Sequence, residues 1–304
     1  MEKTAFIFPG QGSQYVGMGK DLYEGNAAAK VLFDKADETL GFSISRICFE
    51  GPEEELKQTK NTQPAIFLHS IVLYHLIKKK QFEITAGHSL GEYSALVAAG
   101  ALTFEDGLKL VRLRGELMQQ AGVEHPGTMA AIVGLDSIIV NELCVEASAE
   151  GIVQAAKFNS PGQIVVSGSI SGVRKAMELA KTRGAKIVKE LPVSGAFHSP
   201  LMESAQAGLK AELESTEIRD AAVPVYANVT TRPMQHADEI RTLLLQQLIR
   251  PVRWEESVVR MIADGAAAFV EVGPGKVLQG LVKRIDGTVK TLGLEKLNDL
   301  GERN

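Results

Sequence analysis

Apolar and polar positions along the chain fall into two rhythms. Short apolar runs bounded by turn residues predict strands, and apolar residues recurring every three to four positions predict helices. Ala5 to Phe8 reads as a buried strand ending at Pro9-Gly10. Asn61-Thr62-Gln63-Pro64 opens a helix, with a capping residue and a proline in its first turn. Its apolar positions are Ile66, Phe67, Ile71 and Leu76, and it stops at Lys78-Lys79-Lys80, cations suited to a helix C-terminus. Phe82 to Ala86 is a strand, Leu90 to Ala99 a helix, and Thr103 to Ala121 a second helix with Thr103 and Asp106 spaced as a capping box. Roughly the first hundred residues therefore alternate strands with helical patterns, as in an α/β core.

The middle of the chain changes order. Thr128 to Val133 is a strand, Ser137 to Ala149 a helix, Ile152 to Lys157 and Ile164 to Ser167 strands, Ser171 to Ala180 a helix, and Lys186 to Leu191 a strand. This βαββαβ series predicts a small ferredoxin-like domain. Gly122 to Gly127 leads into it and Pro192 to Gly195 out of it. Alternation resumes with strand Val223 to Asn228, helix Glu239 to Ile249 and strand Ala268 to Val272. The expected architecture is a discontinuous large α/β domain, 1–126 and 194–304, interrupted by a small domain, 127–193. The cleft between them is the expected substrate site.

Composition narrows the functional classes. The chain has 304 residues, 45% hydrophobic and 23% charged, with a net charge of -4, which argues against a nucleic-acid or membrane surface. The N-terminal apolar run is too short for a signal peptide or a span, so a cytoplasmic protein is expected. Cys48 and Cys144 fit no metal spacing and read as buried thiols.

Gly87-His88-Ser89-Leu90-Gly91 matches G-x-S-x-G between a strand and a helix. A serine on such a turn projects its hydroxyl beside free N–H groups at the helix start, where an oxyanion can form. Its base must be one of six histidines. His69 and His75 read as ordinary helical residues, His125 and His236 lie in polar loops, and His88 points away from its neighbour. His198 stands where the chain returns from the small domain, with Ser199 and Pro200 starting a helix. The residues alone leave that choice open. Arg114 falls in the apolar stripe of Leu110, Val111, Leu117, Met118 and Ala121 when the helix advances about 100° per residue. A buried guanidinium needs an anion, either an internal carboxylate or a substrate carboxylate held by its fork.

With these residues in place, the chain resembles the malonyl-CoA:acyl-carrier-protein transacylase family of fatty acid and polyketide synthesis. The likeness runs through Phe8-Pro9-Gly10-Gln11-Gly12-Ser13-Gln14, Gly87 to Glu92, Arg112-Leu113-Arg114-Gly115, Gly195-Ala196-Phe197-His198 and Glu271-Val272-Gly273-Pro274-Gly275. The resemblance implies an α/β-hydrolase-like core with a ferredoxin-like insert. It implies Ser89 as nucleophile, His198 as base and Arg114 as ligand of the malonyl carboxylate. It also implies oxyanion contacts from the N–H groups of Gln11 and Leu90, a pocket role for Gln63, and a backbone carbonyl near Gln247 that orients His198. Phe197 would exclude a methyl branch on the acyl group. Malonyl-CoA and acyl carrier protein are the implied partners, and no cofactor or metal is needed. A basic rim is expected for the acidic carrier, with Lys186, Lys189, Arg250 and Lys283 as candidates. A thioester hydrolase and an inactive carrier-binding module are the rivals, and the set Ser89, His198 and Arg114 argues against both.

Overall fold

Two sheets of opposite character organise the protein, a computed structural model that describes residues 2–303. The strands are β1 (Lys3–Phe8), β2 (Ile84–Gly87), β3 (Gly127–Val133), β4 (Val153–Ser160), β5 (Gln163–Ser169), β6 (Ile187–Glu190), β7 (Val225–Tyr226), β8 (Pro233–Met234), β9 (Ala266–Val272) and β10 (Lys290–Leu294). The larger sheet has the order β10-β9-β1-β2-β7-β8. All its pairings are parallel except that of β7 with β8.

β1 lies inside this sheet, and strand alternation divides its side chains between two cores. Phe6 and Phe8 join the cluster of the helix Thr59–Leu76, while Ala5 and Ile7 pack with Trp254, Val258 and Leu281 of the helices Trp254–Ala263 and Val277–Ile285. Both faces are covered, which is why the strand is apolar from Ala5 to Phe8.

The smaller sheet is fully antiparallel, with the order β4-β5-β3-β6. One face buries Ala130, Ile132, Val153 and Val166 beneath the helices Ser137–Ala147 and Ile170–Thr182. The other face carries Met129, Ala131 and Val165 and turns toward the large sheet.

Several expected elements shift. The helix expected from Asn61 begins at Thr59, with Pro64 inside it. Asn61 and Thr62 do not cap it: their side chains donate to the carbonyls of Glu55 (2.9 Å) and Leu56 (2.5 Å). Pro64 has no N–H for the Lys60 carbonyl, and Arg112 Nη1 donates to that carbonyl instead at 2.9 Å. The helix ends at Leu76, before the three lysines. Residues between β1 and β2 form helices only, among them Ala27–Leu40 and Ile44–Glu50, rather than alternating with strands. The strand expected from Val223 to Asn228 shrinks to Val225–Tyr226, because the following residues turn away to hold the β2 turn. β8 and β10 were not anticipated. Half of the capping box at Thr103 forms: Asp106 N–H donates to Thr103 Oγ1 at 3.1 Å, but Asp106 Oδ2 accepts from the Thr103 hydroxyl at 2.7 Å rather than from its N–H.

Candidate active site

The turn after β2 sets the geometry of the site. Ser89 has φ 54°, a left-handed conformation that costs a serine energy and is sustained only by fixed surroundings. Glycines make room for the turn: a Cβ on Gly91 would strike the Phe8 carbonyl, and one on Gly87 the backbone of Gly91. Asn228 then clamps the turn from across the sheet. Its Oδ1 accepts the Ser89 N–H at 2.7 Å, and its Nδ2 donates to the Gly87 carbonyl at 2.7 Å. Glu92 Oε2 in turn accepts the Asn228 N–H at 2.8 Å.

His198 reaches Ser89 from the segment that leaves the small sheet. Its Nε2 lies 2.8 Å from Ser89 Oγ, and its Nδ1 lies 2.8 Å from the Gln247 carbonyl. A carbonyl can only accept, so Nδ1 carries the proton and Nε2 of the neutral ring is free to accept the serine proton. His198 also has a positive φ, 58°. Gln154 Nε2 anchors its carbonyl at 2.8 Å, and Ser199 caps the short helix Pro200–Met202 that follows. Burial, followed by the cations Lys157 and Arg114, holds the imidazole well below its ordinary pKa, so it is neutral at neutral pH.

Arg114 projects from the helix Phe104–Glu124 into the same place and is 1% exposed. Nη1 donates to Gln63 Oε1 at 2.6 Å, and Nη2 donates to Gln247 Oε1 at 2.9 Å and to Ser89 Oγ at 3.1 Å. Its Nε–H is buried without a partner, and among the described residues it forms no ion pair. The nearby carboxyl of Glu92 is pushed up to about 7, chiefly by burial, and so supplies only part of a counter-charge.

Gln247 joins these parts: its carbonyl orients His198, its Oε1 accepts from Arg114, and its Nε2 donates to the Ser89 carbonyl at 3.1 Å. Gln63 is the other amide on Arg114. Phe197 is buried and lines a cleft of about 420 Å³, together with Gln11, His88, Lys157 and Asn159. Among the described residues, the backbone N–H groups of Gln11 and Leu90 have no hydrogen-bond partner.

The fold thus brings Ser89, His198, Arg114, Gln63 and Gln247 into one hydrogen-bonded network. Among the described residues, His198 is the histidine whose ring lies within hydrogen-bonding distance of Ser89 Oγ. His88 turns away, placing Nε2 2.8 Å from Asn159 Oδ1 and its ring against Trp254. His69 is buried in the helix Thr59–Leu76, and His75 bonds the Ile71 carbonyl of its own helix.

Sequence reasoning missed Asn228, Asn159 and Lys157. Asn228 has no local motif, since its partners lie 136 to 141 residues away. Glu92 did leave a signal, a lone charge in an apolar, small-residue helix.

A domain model described as the acyl transferase domain matches residues 5–293 of this chain. The chain belongs to the acyl transferase family. A malonyl CoA-acyl carrier protein transacylase of Bacillus subtilis (strain 168) is 50% identical over 297 residues, covering 97% of this chain and 94% of its own. The crystal structure of an acyl carrier protein S-malonyltransferase from Vibrio cholerae superposes with a TM-score of 0.95 at 42% identity, covering 99% of this chain and 100% of that one. A malonyl-transacylase in complex with its type II PKS acyl-carrier protein matches with a TM-score of 0.96 at 39% identity, covering 99% and 98%. As a mixed α/β acyltransferase, the protein has among its described residues no helix long and apolar enough to cross a membrane. Cys48 and Cys144 are free and buried, with burial raising both thiols above their ordinary pKa.

Proposed function

We propose that this acyltransferase moves the malonyl group from malonyl-CoA to the phosphopantetheine thiol of acyl carrier protein through an ester on Ser89. The observation that carries the reading is Arg114: a buried guanidinium with an unpartnered Nε–H, hydrogen-bonded to the Ser89 hydroxyl that would carry the acyl group. A malonyl carboxylate supplies the charge this side chain lacks. The full-length relatives named for malonyl transfer support the substrate, and the relative solved with its carrier protein supports the acceptor.

Ser89 Oγ attacks the thioester carbonyl while His198 Nε2 takes its proton. The C–S bond breaks, CoA leaves, and His198 returns the proton to sulfur. The carrier thiol reverses these steps, which makes the kinetics ping-pong. The unpartnered N–H groups of Gln11 and Leu90 serve the oxyanion, and the Gln247 carbonyl stabilises the imidazolium as it forms. Gln63 holds the guanidinium in place. Phe197 fills the space beside the acyl α-carbon and disfavours a methyl branch.

The chain is read as an α/β-hydrolase-like domain, 1–126 and 194–304, with a ferredoxin-like insert, 127–193. The strand order β4-β5-β3-β6 of the smaller sheet supports that description of the insert. Lys186, Lys189, Arg250 and Lys283 are exposed and are the proposed basic rim for the carrier. A cytoplasmic location accords with this chemistry. Intact-mass measurement after incubation with malonyl-CoA tests the central step. A malonyl adduct is expected on wild type and none on Ser89→Ala. An adduct that persists in the variant, or maps to another peptide, overturns the assignment.

A further inference from the structure

One wall of the cleft carries a cation that the mechanism above does not use. Along β4, Val153 and Ala155 point into the core under the small-sheet helices, and unbroken alternation would send residue 157 the same way. The pairing with β5 shifts at this point. Ala155 lies opposite Val166, but Lys157 lies opposite Val165, so Ala156 is an extra residue. The bulge reverses the alternation: Lys157 lines the cleft beside Val165, and Phe158 returns to the packed side with Ile164. Bulges of this kind re-aim side chains next to sites. The larger domain pins this one, since Phe158 N–H donates to the Val252 carbonyl and Val252 N–H to the Ala156 carbonyl, both at 2.9 Å.

The strand therefore departs from regular pairing to place an ammonium in the cleft, and nothing among the described residues neutralises it there. Lys157 is half-buried, and among the described residues it makes no ion pair and no side-chain hydrogen bond. Lys57, which also lines the cleft, is held by Glu53 at 2.7 Å. The charged and titratable groups that act on or feel Lys157 are Arg114, His88 and His198, none of them anionic. Burial and then Arg114 push the ammonium down to about 8, which leaves it mostly charged at neutral pH. Arg114 beside Ser89 and Lys157 in the cleft thus present two cations to an acyl group with one carboxylate. Besides the oxyanion, which the N–H groups of Gln11 and Leu90 serve, the reaction develops negative charge on sulfur.

We propose that Lys157 stabilises the thiolate that leaves in the first half-reaction and attacks in the second. This rests on the thioester-transfer reading of the site. In acylation the Oγ–C bond forms and the C–S bond breaks with its electron pair on sulfur. The Ser89 proton passes through His198 Nε2 to that sulfur. In transfer, the carrier thiol gives its proton to His198, the S–C bond forms, the C–Oγ bond breaks and Ser89 recovers the proton. Lys157 forms no bond and loses no proton. An opposite charge within about 4–6 Å favours an ionised group by roughly 1–3 pKa units. That help matters here because His198, with its depressed basicity, is a weak proton acceptor for a thiol.

The test is single-turnover acylation of Ser89, followed by mass, with malonyl thioesters whose leaving groups run from acidic aryl thiols to alkyl thiols, CoA included. Lys157→Met should slow the alkyl thioesters about ten- to a hundredfold and the aryl ones less than about threefold. Lys157→Arg should restore most of the loss. A uniform loss along the series, no loss, or a loss that follows the acyl carboxylate (malonyl but not acetyl) overturns the proposal. If Lys157→Met does not fold by circular dichroism, Lys157→Gln takes its place in the same series. Wild type that no malonyl thioester acylates would overturn the transferase reading itself, a failure distinct from a flat leaving-group dependence.

Discussion

The larger sheet presents its chemistry from strained turns, whereas the smaller sheet reaches the same cleft from strand positions. Ser89, His198 and Thr231 are the non-glycine residues with positive φ among those described, and all lie outside the smaller sheet. Ser89 and His198 are over-determined by hydrogen bonds: Asn228 and Gln247 hold the serine turn, and Gln247 and Gln154 hold the histidine segment. Strain persists only where the surroundings leave no alternative. Asn159 and Lys157 carry no such strain, because β4 places them by alternation and two register shifts, the first pinned by hydrogen bonds to Val252. In the proposed reaction, the groups that exchange bonds or protons with substrate are built on the first kind of support. Groups that shape the cleft or its field are built on the second.

That division makes a ranked set of predictions. His198→Ala should slow both half-reactions about 10²- to 10⁴-fold, since each needs a proton transfer; rapid-quench measurement of acylation and deacylation separately is the check. Arg114→Ala should lower kcat/KM for malonyl-CoA about ten- to more than a hundredfold, with little effect on acetyl-CoA, because only malonate loses a charged partner. An equal loss for both thioesters would make Arg114 a structural residue. Asn159→Ala crosses the boundary between the two regions by removing the partner of His88. It should cost about 1–3 kcal/mol in stability by denaturant titration, for the buried donor left behind, but less than about tenfold in rate. If it costs as much rate as His198→Ala, the division between reacting and shaping groups is wrong.

The smallest effect on rate belongs to His69, which serves as a contrast to His198. Both are buried and held below the ordinary histidine pKa, His69 at about 4 by burial. Among the described residues, His69 has no hydrogen-bond partner at either ring nitrogen. The unfolded chain takes up a proton on this residue below about pH 6.5, while the folded protein resists until about 4. Its contribution to stability is therefore intact above about 6.5 and is lost as the pH falls toward 4. His69→Phe should leave activity at pH 7 within about twofold and reduce the slope of stability against pH in that window by about 1.4 kcal/mol per unit. Urea titrations at several pH values would show it, and an unchanged slope would mean that the ring is solvated.

Elements governed by near neighbours were legible. The helix at Thr103 announces itself through its cap and its apolar stripe, and the turn at Gly87 to Gly91 through spacing and flanking elements. Legibility failed where side chains serve distant backbone. Asn61 and Thr62 carry the chemistry of helix caps, yet they satisfy carbonyls at Glu55 and Leu56 in the preceding turn. Asn228 looks like the polar end of a strand until the fold lays it across the Ser89 turn. Lys157 reads as an ordinary strand residue because a bulge is set by pairing with β5, which a single strand does not encode on its own.

By itself the sequence determined the βαββαβ run in the middle of the chain, the serine turn and the lone arginine in an apolar helical stripe. Each follows from periodicity, turn chemistry or the cost of burying charge, all of which act over a few residues. Only the tertiary structure decided which histidine meets Ser89, that Gln247 serves His198, Arg114 and Ser89 together, and that no carboxylate of the described residues pairs with Arg114. Those are matters of a few tenths of an ångström between residues 25 to 158 positions apart, set by how two sheets pack around one cleft. Hydrogen bonds and desolvation depend steeply on such distances, whereas sequence spacing carries them only within a helix, a strand or a turn.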